Sequence, residues 1–594
     1  DDIDFSALGR VDIYKGPTPL YGSYIAGAVN LFTPVPNQNS VQEQAIVGSD
    51  GLFRTNTTIT ASTGNSDIYI DYGHQKYNGF RPNDGSLKDF VTLAGNFHTG
   101  DKNTVSTYIS YSHSVEQLGG EIDSAAFYKR NPDSVSNAFY VNNYSKVEIE
   151  SFRAGVTDEY KFCKGFSNQT TFYTKSNTLN QPFAHGFTRD INFSYGFRSA
   201  FNYECKGDKL TVDGTLGTSL QKTNQLAEGD FYLPFLAEPP FYPTSPAIPS
   251  DADNYGLTYN IFTNWDFKLP SQLTITVGGS LNFAELGTQN LLDATGVYIN
   301  NPWYVKVFTP VFTPNVSIIK VFNDNVSAYA SMSMGYTPPV LGQIKNSLGN
   351  VDSTLKPESG TQYEIGTKGS LLDHKLSYQL ALYDLDITNR LISEYVNSIN
   401  YTLNAGEQRN MGAELYLAYS AISNKDGAIT LLRPWISYTY SNDIYVDFKN
   451  YGKSKVNGGD TVLNDYSGNK AVGVAPNVFN LGIDLNTKSG FYLNVKFQYN
   501  DKVTITFDNA GHAAAYNLLG AKLGYKKQIG NHFNVDAFVG AENLTNSTYY
   551  TFLFYGPNLN GLAQSSDHGR GDGYILPAPF TSTYYGGVTL KYVF

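Results

Sequence analysis

The amino-acid sequence predicts an all-β fold, a closed antiparallel barrel of about 22 strands, and three observations lead to this prediction. From about residue 41 onwards the chain repeats one unit, a strand of roughly ten residues followed by a turn or loop. The connections alternate between short polar turns and longer irregular segments. The composition, with 46 Tyr, 37 Phe and only 16% charged residues, suits strands that have one apolar and one polar face.

The composition also excludes several classes of protein. The chain contains no apolar run of about 18 residues, so no transmembrane helix is expected. A net charge of −11 without a basic cluster argues against a nucleic-acid partner. The eight histidines show no metal-ligand spacing, and no Gly-x-Ser-x-Gly sequence is present. We therefore expect no enzyme activity, no metal site and no cofactor.

The N-terminal stretch from Gly9 to Pro34 differs from the repeating part of the chain. It predicts a strand over residues 10–14, a turn at Gly16 and Pro17, and a second strand over residues 26–32. Two short strands bury no core alone, so this stretch must pack against a larger body.

Ten short polar turns divide the rest of the chain, and long connections separate most of them. Ten such turns with eleven intervening loops require about 22 strands. Short turns on one rim and long loops on the other are typical of an outer-membrane barrel whose short side faces the periplasm. The short turns fall at residues 63–66, 99–102, 164–165, 206–208, 270–272, 323–325, 372–374, 424–427, 488–490 and 529–532.

The predicted strands alternate in polarity, as a barrel wall in lipid requires. The last strand places Val588, Leu590, Tyr592 and Phe594 on one face. The chain ends there on an aromatic residue, which resembles the C-terminal signal of bacterial outer-membrane barrels. Because an open sheet edge in lipid would leave backbone groups without partners, the sheet is expected to close.

Several motifs resemble those of the TonB-dependent outer-membrane transporters. In that family the end of the plug domain carries the pattern seen here as Lys15-Gly16-Pro17, Leu20-Tyr21-Gly22 and Asn30-Leu31-Phe32-Thr33. Three barrel segments extend the resemblance, at residues 355–358, 404–415 and 540–546. It implies that residues 1–40 form the C-terminal part of a luminal plug and that residues 41–594 form the transmembrane β-barrel.

The resemblance also implies that the front of the plug, with the segment that binds TonB, lies N-terminal to Asp1. The apolar side chains of the two N-terminal strands need partners that a polar barrel lining does not supply. We expect these strands to pair with plug strands upstream of Asp1, or to lie in the lumen with poor order. The side chains concerned are Val11, Ile13, Val29 and Leu31.

The function implied by the resemblance is active uptake across the bacterial outer membrane. The TonB–ExbB–ExbD complex would supply the energy, and outer-membrane lipid would surround the barrel. A ferric siderophore is the first ligand expected, because the sequence of residues 335–339, Gly-Tyr-Thr-Pro-Pro, resembles siderophore receptors. Uptake of a vitamin, an oligosaccharide or a peptide stays open. The alternative from another class is a structural or secretion-complex partner of other outer-membrane proteins.

Two sets of candidate site residues follow. Aromatic side chains offer flat apolar surfaces to a ligand, and the candidates are Tyr21, Tyr24, Phe231, Tyr232, Phe235, Phe241, Tyr242 and Tyr336. Five of them belong to a proline-rich loop at residues 223–255, where packing between loops is the competing interpretation. The carboxylates of Glu358, Glu364 and Glu414 are expected to have a structural role, pairing with plug arginines such as Arg10.

The two cysteines, Cys163 and Cys205, each precede a short turn, on the strands predicted to be the sixth and eighth. The intervening strand separates them by roughly twice the 4.8 Å strand spacing. That separation exceeds the Cα distance of about 7 Å that a disulfide spans. We predict two free thiols.

Overall fold

A computed structural model describes residues 3–130, 136–183, 186–232, 247–292, 296–344, 351–396, 399–404, 406–453, 461–554 and 575–594. Nearly all regular structure in these residues is β-strand. Two short α-helices, α1 (Ser124–Lys129) and α2 (Ala138–Asn142), lie in one loop. None of the described helices has the length and apolar content needed to cross a bilayer.

The strands fall into two groups along the chain. β1 (Arg10–Lys15) and β2 (Gly27–Phe32) form a separate hairpin. The others are β3 (Ser40–Gly48), β4 (Phe53–Ser62), β5 (Ser66–Tyr77), β6 (Ser86–Gly100), β7 (Asn103–Gln117), β8 (Lys146–Cys163), β9 (Phe166–Phe183), β10 (Gly186–Lys206), β11 (Thr211–Tyr232), β12 (Ala247–Leu269), β13 (Leu273–Asn290), β14 (Tyr304–Val307), β15 (Val311–Asn323), β16 (Val326–Thr337), β17 (Glu358–Leu371), β18 (Leu376–Thr388), β19 (Leu391–Val396), β20 (Ile399–Asn404), β21 (Glu407–Tyr419), β22 (Ile422–Ser423), β23 (Ile429–Asp447), β24 (Lys449–Lys453), β25 (Thr461–Asp465), β26 (Asn477–Thr487), β27 (Phe491–Asn500), β28 (Val503–Thr504), β29 (His512–Ala513), β30 (Tyr516–Ile529), β31 (Phe533–Glu542), β32 (Tyr550–Leu553), β33 (Ile575–Pro577) and β34 (Thr583–Val593).

Within the described part of the chain, 22 of these strands close into one antiparallel barrel, which confirms the predicted fold class. They are β3–β13, β15–β18, β21, β23, β26, β27, β30, β31 and β34. The first and last strands pair with each other, from Ser40 opposite Val593 to Gly48 opposite Tyr585. The closed ladder leaves no free edge, as a sheet in hydrocarbon requires. β14 and β22 extend the wall locally, and the remaining short strands form hairpins in the loops.

The ten short turns lie on one rim of the barrel, as predicted. Counted around the barrel from β3 as the first strand, each of them follows a strand at an even position, and every strand runs antiparallel to its neighbours. The first residue of β3 and the last of β34 lie on this same short-turn rim. The long loops therefore occupy the opposite rim, which we call the long-loop rim.

Several strands are longer than the roughly ten residues that the sequence predicts. β11 has 22 residues and β12 has 23, whereas about 9–11 residues suffice to cross a membrane. Because these strands meet at short turns on one rim, their additional residues extend the wall on the side of the long loops. The sequence pattern does not mark where lipid ends, because side chains continue to alternate beyond that point.

The outer face of the wall is apolar. Val539, Phe491 and Leu523 are 62%, 52% and 50% exposed. The inner face buries polar side chains such as Asn56 and Asp71. This is the reverse of a soluble protein, and it fits a barrel with lipid outside and a polar lumen.

The described parts of the long loops are packed through three apolar clusters. The largest joins Ile122 and Phe127 to Ile505 and Phe580, which lie in three different loops. Ile505 is completely buried. A second cluster surrounds Ile344 and a third surrounds Phe448. The described parts of the long loops therefore pack on one another around small apolar cores of their own.

Cys163 and Cys205 are exposed free thiols, which confirms the prediction made from strand spacing. In detergent without reductant we expect Ellman's reagent to titrate two thiols per chain, because both side chains reach solvent. A Cys163→Ser variant serves as the control and should yield one. Thiols that react only after a reductant is added would contradict this expectation.

Candidate functional site

The N-terminal hairpin and its flanking residues cross the interior of the barrel. We call residues 3–37 the luminal segment. It contacts Arg54 on β4, Arg198 on β10, Tyr336 on β16 and Glu414 on β21. These strands are spread around the circumference, so only a segment inside the lumen reaches all of them. The first barrel strand begins directly after it, at Ser40.

The first contact is a buried ion pair at the start of the luminal segment. Asp4 caps a 3₁₀-helix at Phe5–Ala7 by accepting a hydrogen bond from the backbone N–H of Ser6. Its carboxylate lies 2.6 Å from the Arg54 guanidinium, and the two side chains are 2% and 17% exposed. Arg54 also donates to Ser6 Oγ at 3.0 Å. Removing one partner of such a buried pair costs about 3–5 kcal/mol, because the other charge stays buried.

The second contact lies at the turn that ends β1. Lys15 forms an ion pair with Glu414 of the wall. The chain then turns through Gly16, whose φ of 79° is unfavourable for other residues. The hairpin has only six residue pairs. The ion pair between Lys15 and Glu414 attaches the end of its first strand to the wall.

The third contact involves Arg198, an inward-facing cation of the wall. Its guanidinium donates to the backbone oxygen of Leu20 at 3.4 Å. It also lies 5.8 Å from the centre of the Tyr21 ring and 4.8 Å from that of Phe262. The cation is therefore held between the Tyr21 ring of the luminal segment and the Phe262 ring of the wall, which is buried. Tyr21 of the Leu-Tyr-Gly motif thus contacts the wall.

The fourth contact joins the luminal segment to β16 through the backbone. The N–H of Tyr336 donates to the oxygen of Ser23 at 2.9 Å, and Tyr24 forms a parallel β-bridge with Tyr336. The rings of Tyr24 and Tyr336 are nearly parallel, with centres 6.1 Å apart. The desolvation that accompanies this packing raises the pKa of Tyr24 above its ordinary value.

Two glycines make this close approach possible. Gly335 and Gly360 face each other across β16 and β17. A Cβ on Gly335 would lie 2.9 Å from Ile25 Cα and from the Ser23 oxygen. A Cβ on Gly360 would lie 2.8 Å from Ile25 Cγ2. The two glycines therefore form a notch in the wall that receives Ile25, which is 7% exposed. We call the notch and the Tyr24–Tyr336 pair the notch junction.

A cavity of about 750 Å³ lies between the luminal segment and the wall formed by β5–β11. The luminal side contributes Leu31 and Phe32, and the wall contributes Tyr108, Arg153 and Lys175. Its volume falls within the range of small-molecule sites. The apolar faces of β1 and β2 are also accessible, with Ile13 and Val29 67% and 61% exposed.

The structure distributes the predicted structural residues differently from the expectation. Arg10 pairs with Asp12 at 3.1 Å and stacks on Phe32 instead of reaching a wall carboxylate. Lys15 takes the place beside Glu414, because it lies at the end of β1 that meets the wall. Glu358 accepts a hydrogen bond from the backbone of Leu391, within the wall and loops.

The remaining predicted residues lie in several places. Glu364 accepts a hydrogen bond from Tyr329 at 2.6 Å and does not contact Arg10. Phe231 and Tyr232 are the last two residues of β11. Phe235, Phe241 and Tyr242 lie outside the described residues.

Sequence reasoning missed the residues that fix the luminal segment to the wall. Asp4, Arg54, Arg198 and Gly360 carry no motif that marks them. Asp4 is a residue type that commonly caps the start of a helix, so its hydrogen bond with Ser6 is local. Its ion pair with Arg54, in contrast, joins residues 50 positions apart in the sequence. Contacts of this range become visible only once the register of the barrel is known.

Comparison with known proteins gives a consistent picture. The model of a family described as TonB dependent receptor-like, beta-barrel, matches residues 38–544. The ferrichrome outer membrane transporter/phage receptor of Escherichia coli (strain K12) is 22% identical over 515 residues, which cover 76% of this chain and 64% of that protein. The ferripyoverdine receptor of Pseudomonas aeruginosa is 28% identical over 153 residues, 23% of this chain and 18% of the receptor. This chain thus spans less than two thirds of the length of either relative.

Solved structures show the same fold at low sequence identity. The siderophore receptor PiuA from Acinetobacter baumannii is 16% identical with a TM-score of 0.76, over 99% of this chain and 86% of that one. The ferric citrate transporter FecA, in its unliganded form, is 14% identical with a TM-score of 0.78, over 99% and 84% of the two chains.

The notch junction predicts the effect of a single substitution. Gly335→Val would place a side chain where Ile25 and Ser23 lie, so we expect the luminal segment to detach locally while the barrel stays closed. Amide hydrogen exchange of residues 19–27, followed by mass spectrometry, should accelerate by roughly tenfold or more. Gly342→Val is the matched control, because nothing lies within 4 Å of a Cβ at that position. Equal exchange in both variants would show that the notch does not hold the segment.

Proposed function

The chain belongs to the TonB-dependent receptor family, and from this membership we propose that the whole protein imports a ferric siderophore across the bacterial outer membrane. The barrel is a multi-pass protein of that membrane. The observation that supports transport best is the luminal segment, which is attached to the wall on several sides. A barrel of 22 strands would otherwise enclose a wide lumen.

The contacts of the luminal segment explain why transport would need energy. A solute that crosses the lumen must pass a segment held by two ion pairs, a cation–π contact and a backbone bridge. Displacing it breaks these interactions together. In the proposed function the TonB–ExbB–ExbD complex supplies this work through a segment N-terminal to Asp1.

The class of ligand is proposed from the relatives. They are named as a transporter of ferrichrome and a receptor of ferripyoverdine, and PiuA is named as a siderophore receptor. We propose that Phe231, Tyr232, Phe235, Phe241 and Tyr242 of the proline-rich loop contact the ligand from the outer side. Tyr336 is 4% exposed and stacked on Tyr24, so we assign Tyr336 to the notch junction. Tyr24, which is 42% exposed, and Tyr21 remain proposed ligand contacts on the luminal segment.

The domain division is part of the same proposal. Residues 1–40 are the C-terminal part of the plug, and residues 41–594 are the barrel. The exposed apolar face of β1 and β2 supports this division, because Ile13 and Val29 need partners that the polar lumen does not offer. Plug strands N-terminal to Asp1 would supply them.

Uptake of radioactive iron tests the proposed function. The full-length protein is expressed in a host that lacks its own ferric siderophore receptors, and cells receive ⁵⁵Fe bound to hydroxamate, catecholate or mixed siderophores. We expect saturable uptake of at least one chelate, lost when a protonophore collapses the proton-motive force. Absence of uptake and binding for every ferric chelate would contradict the proposal.

A deletion of residues 3–37 serves as the control that separates gated transport from a structural role. In liposomes the intact protein should conduct little, and the deletion should open a passive pore. An intact protein that already conducts, with no change after the deletion, would favour the alternative of a structural or secretion-complex partner.

A further inference from the structure

Three side chains with metal-ligand chemistry converge on the outer face of the barrel. They are His113 on β7 and Glu148 and Glu150 on β8. One nitrogen or oxygen of each lies within 4.8 Å of those of the other two, and His113 Nε2 is 3.0 Å from Glu148 Oε1. The sheet register produces this grouping: His113 lies directly opposite Glu150, and Glu148 is two residues along on the same face. We call these residues the outer-wall triad.

The outer-wall triad faces away from the lumen. Along β7, Ile109 and Tyr111 share the face of His113 and are 42% and 44% exposed, whereas Ser110 and Ser112 on the other face are buried. Along β8, Phe152 shares the face of the two glutamates and is 42% exposed. The triad is therefore separated from the luminal segment and from the proposed route of the ligand.

The position of the triad along the strands places it at the outer edge of the membrane. Tyr111 and Phe152 lie opposite each other, directly on the short-turn side of the His113–Glu150 pair. Aromatic side chains of this kind concentrate at the boundary between lipid and water. His113 also lies ten residues along β7 from Asn103 at the short-turn rim, about the number that crosses the hydrocarbon. The triad thus meets water just outside the bilayer.

The charges around the triad favour a cation. Glu148 already attracts Lys146, whose Nζ lies 3.0 Å from Glu148 Oε2. The Lys146 side chain is 39% exposed, so it is free to turn into solvent when another cation binds. Glu150 is exposed, and its carboxylate is the second one within 4.8 Å of the His113 imidazole.

We propose that the outer-wall triad binds a divalent first-row transition-metal ion of the Zn²⁺ type. An imidazole nitrogen with two carboxylate oxygens suits Zn²⁺, which binds such ligands at about 2.0–2.2 Å and completes a tetrahedron with water. Ca²⁺ and Mg²⁺ prefer sites made wholly of oxygen. All three residues belong to adjacent strands of a closed sheet, which fixes their backbones relative to one another, so that small side-chain rotations bring the three ligand atoms onto one ion.

A bound ion would connect β7 to β8 at the base of the loop that they enclose. This loop contains α1 and contributes Ile122 and Phe127 to the largest loop cluster. The triad lies on the outer face of the barrel and the proposed transport route lies in the lumen, so metal binding and siderophore uptake are tested independently. The spacing of the residues along the sequence does not reveal the triad, because His113 approaches Glu148 and Glu150 only across the sheet.

Isothermal titration of the full chain in detergent, purified without a polyhistidine tag, tests the proposal with ZnCl₂ as the probe. We expect one saturable site per barrel. His113→Ala and Glu150→Gln should each weaken it by more than about tenfold, a loss that even outer-shell partners of metal sites produce. Lys146→Gln should strengthen binding, since it removes the competing cation.

His98→Ala is the matched control. His98 lies at the short-turn end of β6, opposite Thr104 and nine residues along β7 from His113, so its loss should leave Zn²⁺ binding unchanged. Heat-dependent mobility on gel electrophoresis verifies that each variant retains a folded barrel. Equal affinity in the wild type, His113→Ala and Glu150→Gln would overturn the proposal, as would the absence of saturable binding. Equal displacement of Zn²⁺ by Mg²⁺ would overturn the assignment of the metal class.

Discussion

The whole structure depends on one constraint, which is that backbone groups inside a bilayer must find their hydrogen-bond partners within the protein. The pairing of β3 with β34 meets that constraint by closing the sheet. A closed sheet of 22 strands necessarily encloses a wide lumen. The luminal segment crosses that lumen, and its contacts are mostly polar because the wall that faces it is polar. Membrane insertion thus dictates the architecture of the barrel and the chemistry of its interior.

The fold was predictable from the sequence because the constraint acts on every strand in the same way. Alternating polarity, ten short turns and an aromatic C-terminus repeat one requirement many times, so an error in one strand does not change the conclusion. The lengths of β11 and β12 were not predictable. Outside the membrane these strands still pair with their neighbours, and their side chains continue to alternate between apolar and polar. No change in the sequence pattern therefore marks the lipid boundary. The loop cores around Ile505 and Phe448 escaped prediction because their members come from separate loops.

The site was predictable only where a local motif forces the backbone. Gly16 and Tyr336 lie in such motifs, and both contribute to the attachment of the luminal segment. The partners on the wall depend on the register of strands far apart in sequence, so Arg10 was assigned a role that Lys15 performs. Gly360 illustrates the same difficulty, since nothing in its neighbours indicates that Ile25 will pack against it. The outer-wall triad is a further example, because the register of β7 and β8 brings its three side chains together.

In the proposed function, the luminal segment must move away from the wall at the notch junction for a ligand to pass. A disulfide across this junction tests it directly, in a variant with Tyr24→Cys, Tyr336→Cys, Cys163→Ser and Cys205→Ser. Paired strand segments lie about 4.8 Å apart, so the bridge between Tyr24 and Tyr336 brings their Cα atoms within the range that a disulfide spans. Uptake of ⁵⁵Fe-siderophore should fall to background after oxidation and recover after reduction with dithiothreitol. Undiminished uptake with the disulfide fully formed would show that a ligand passes without this movement.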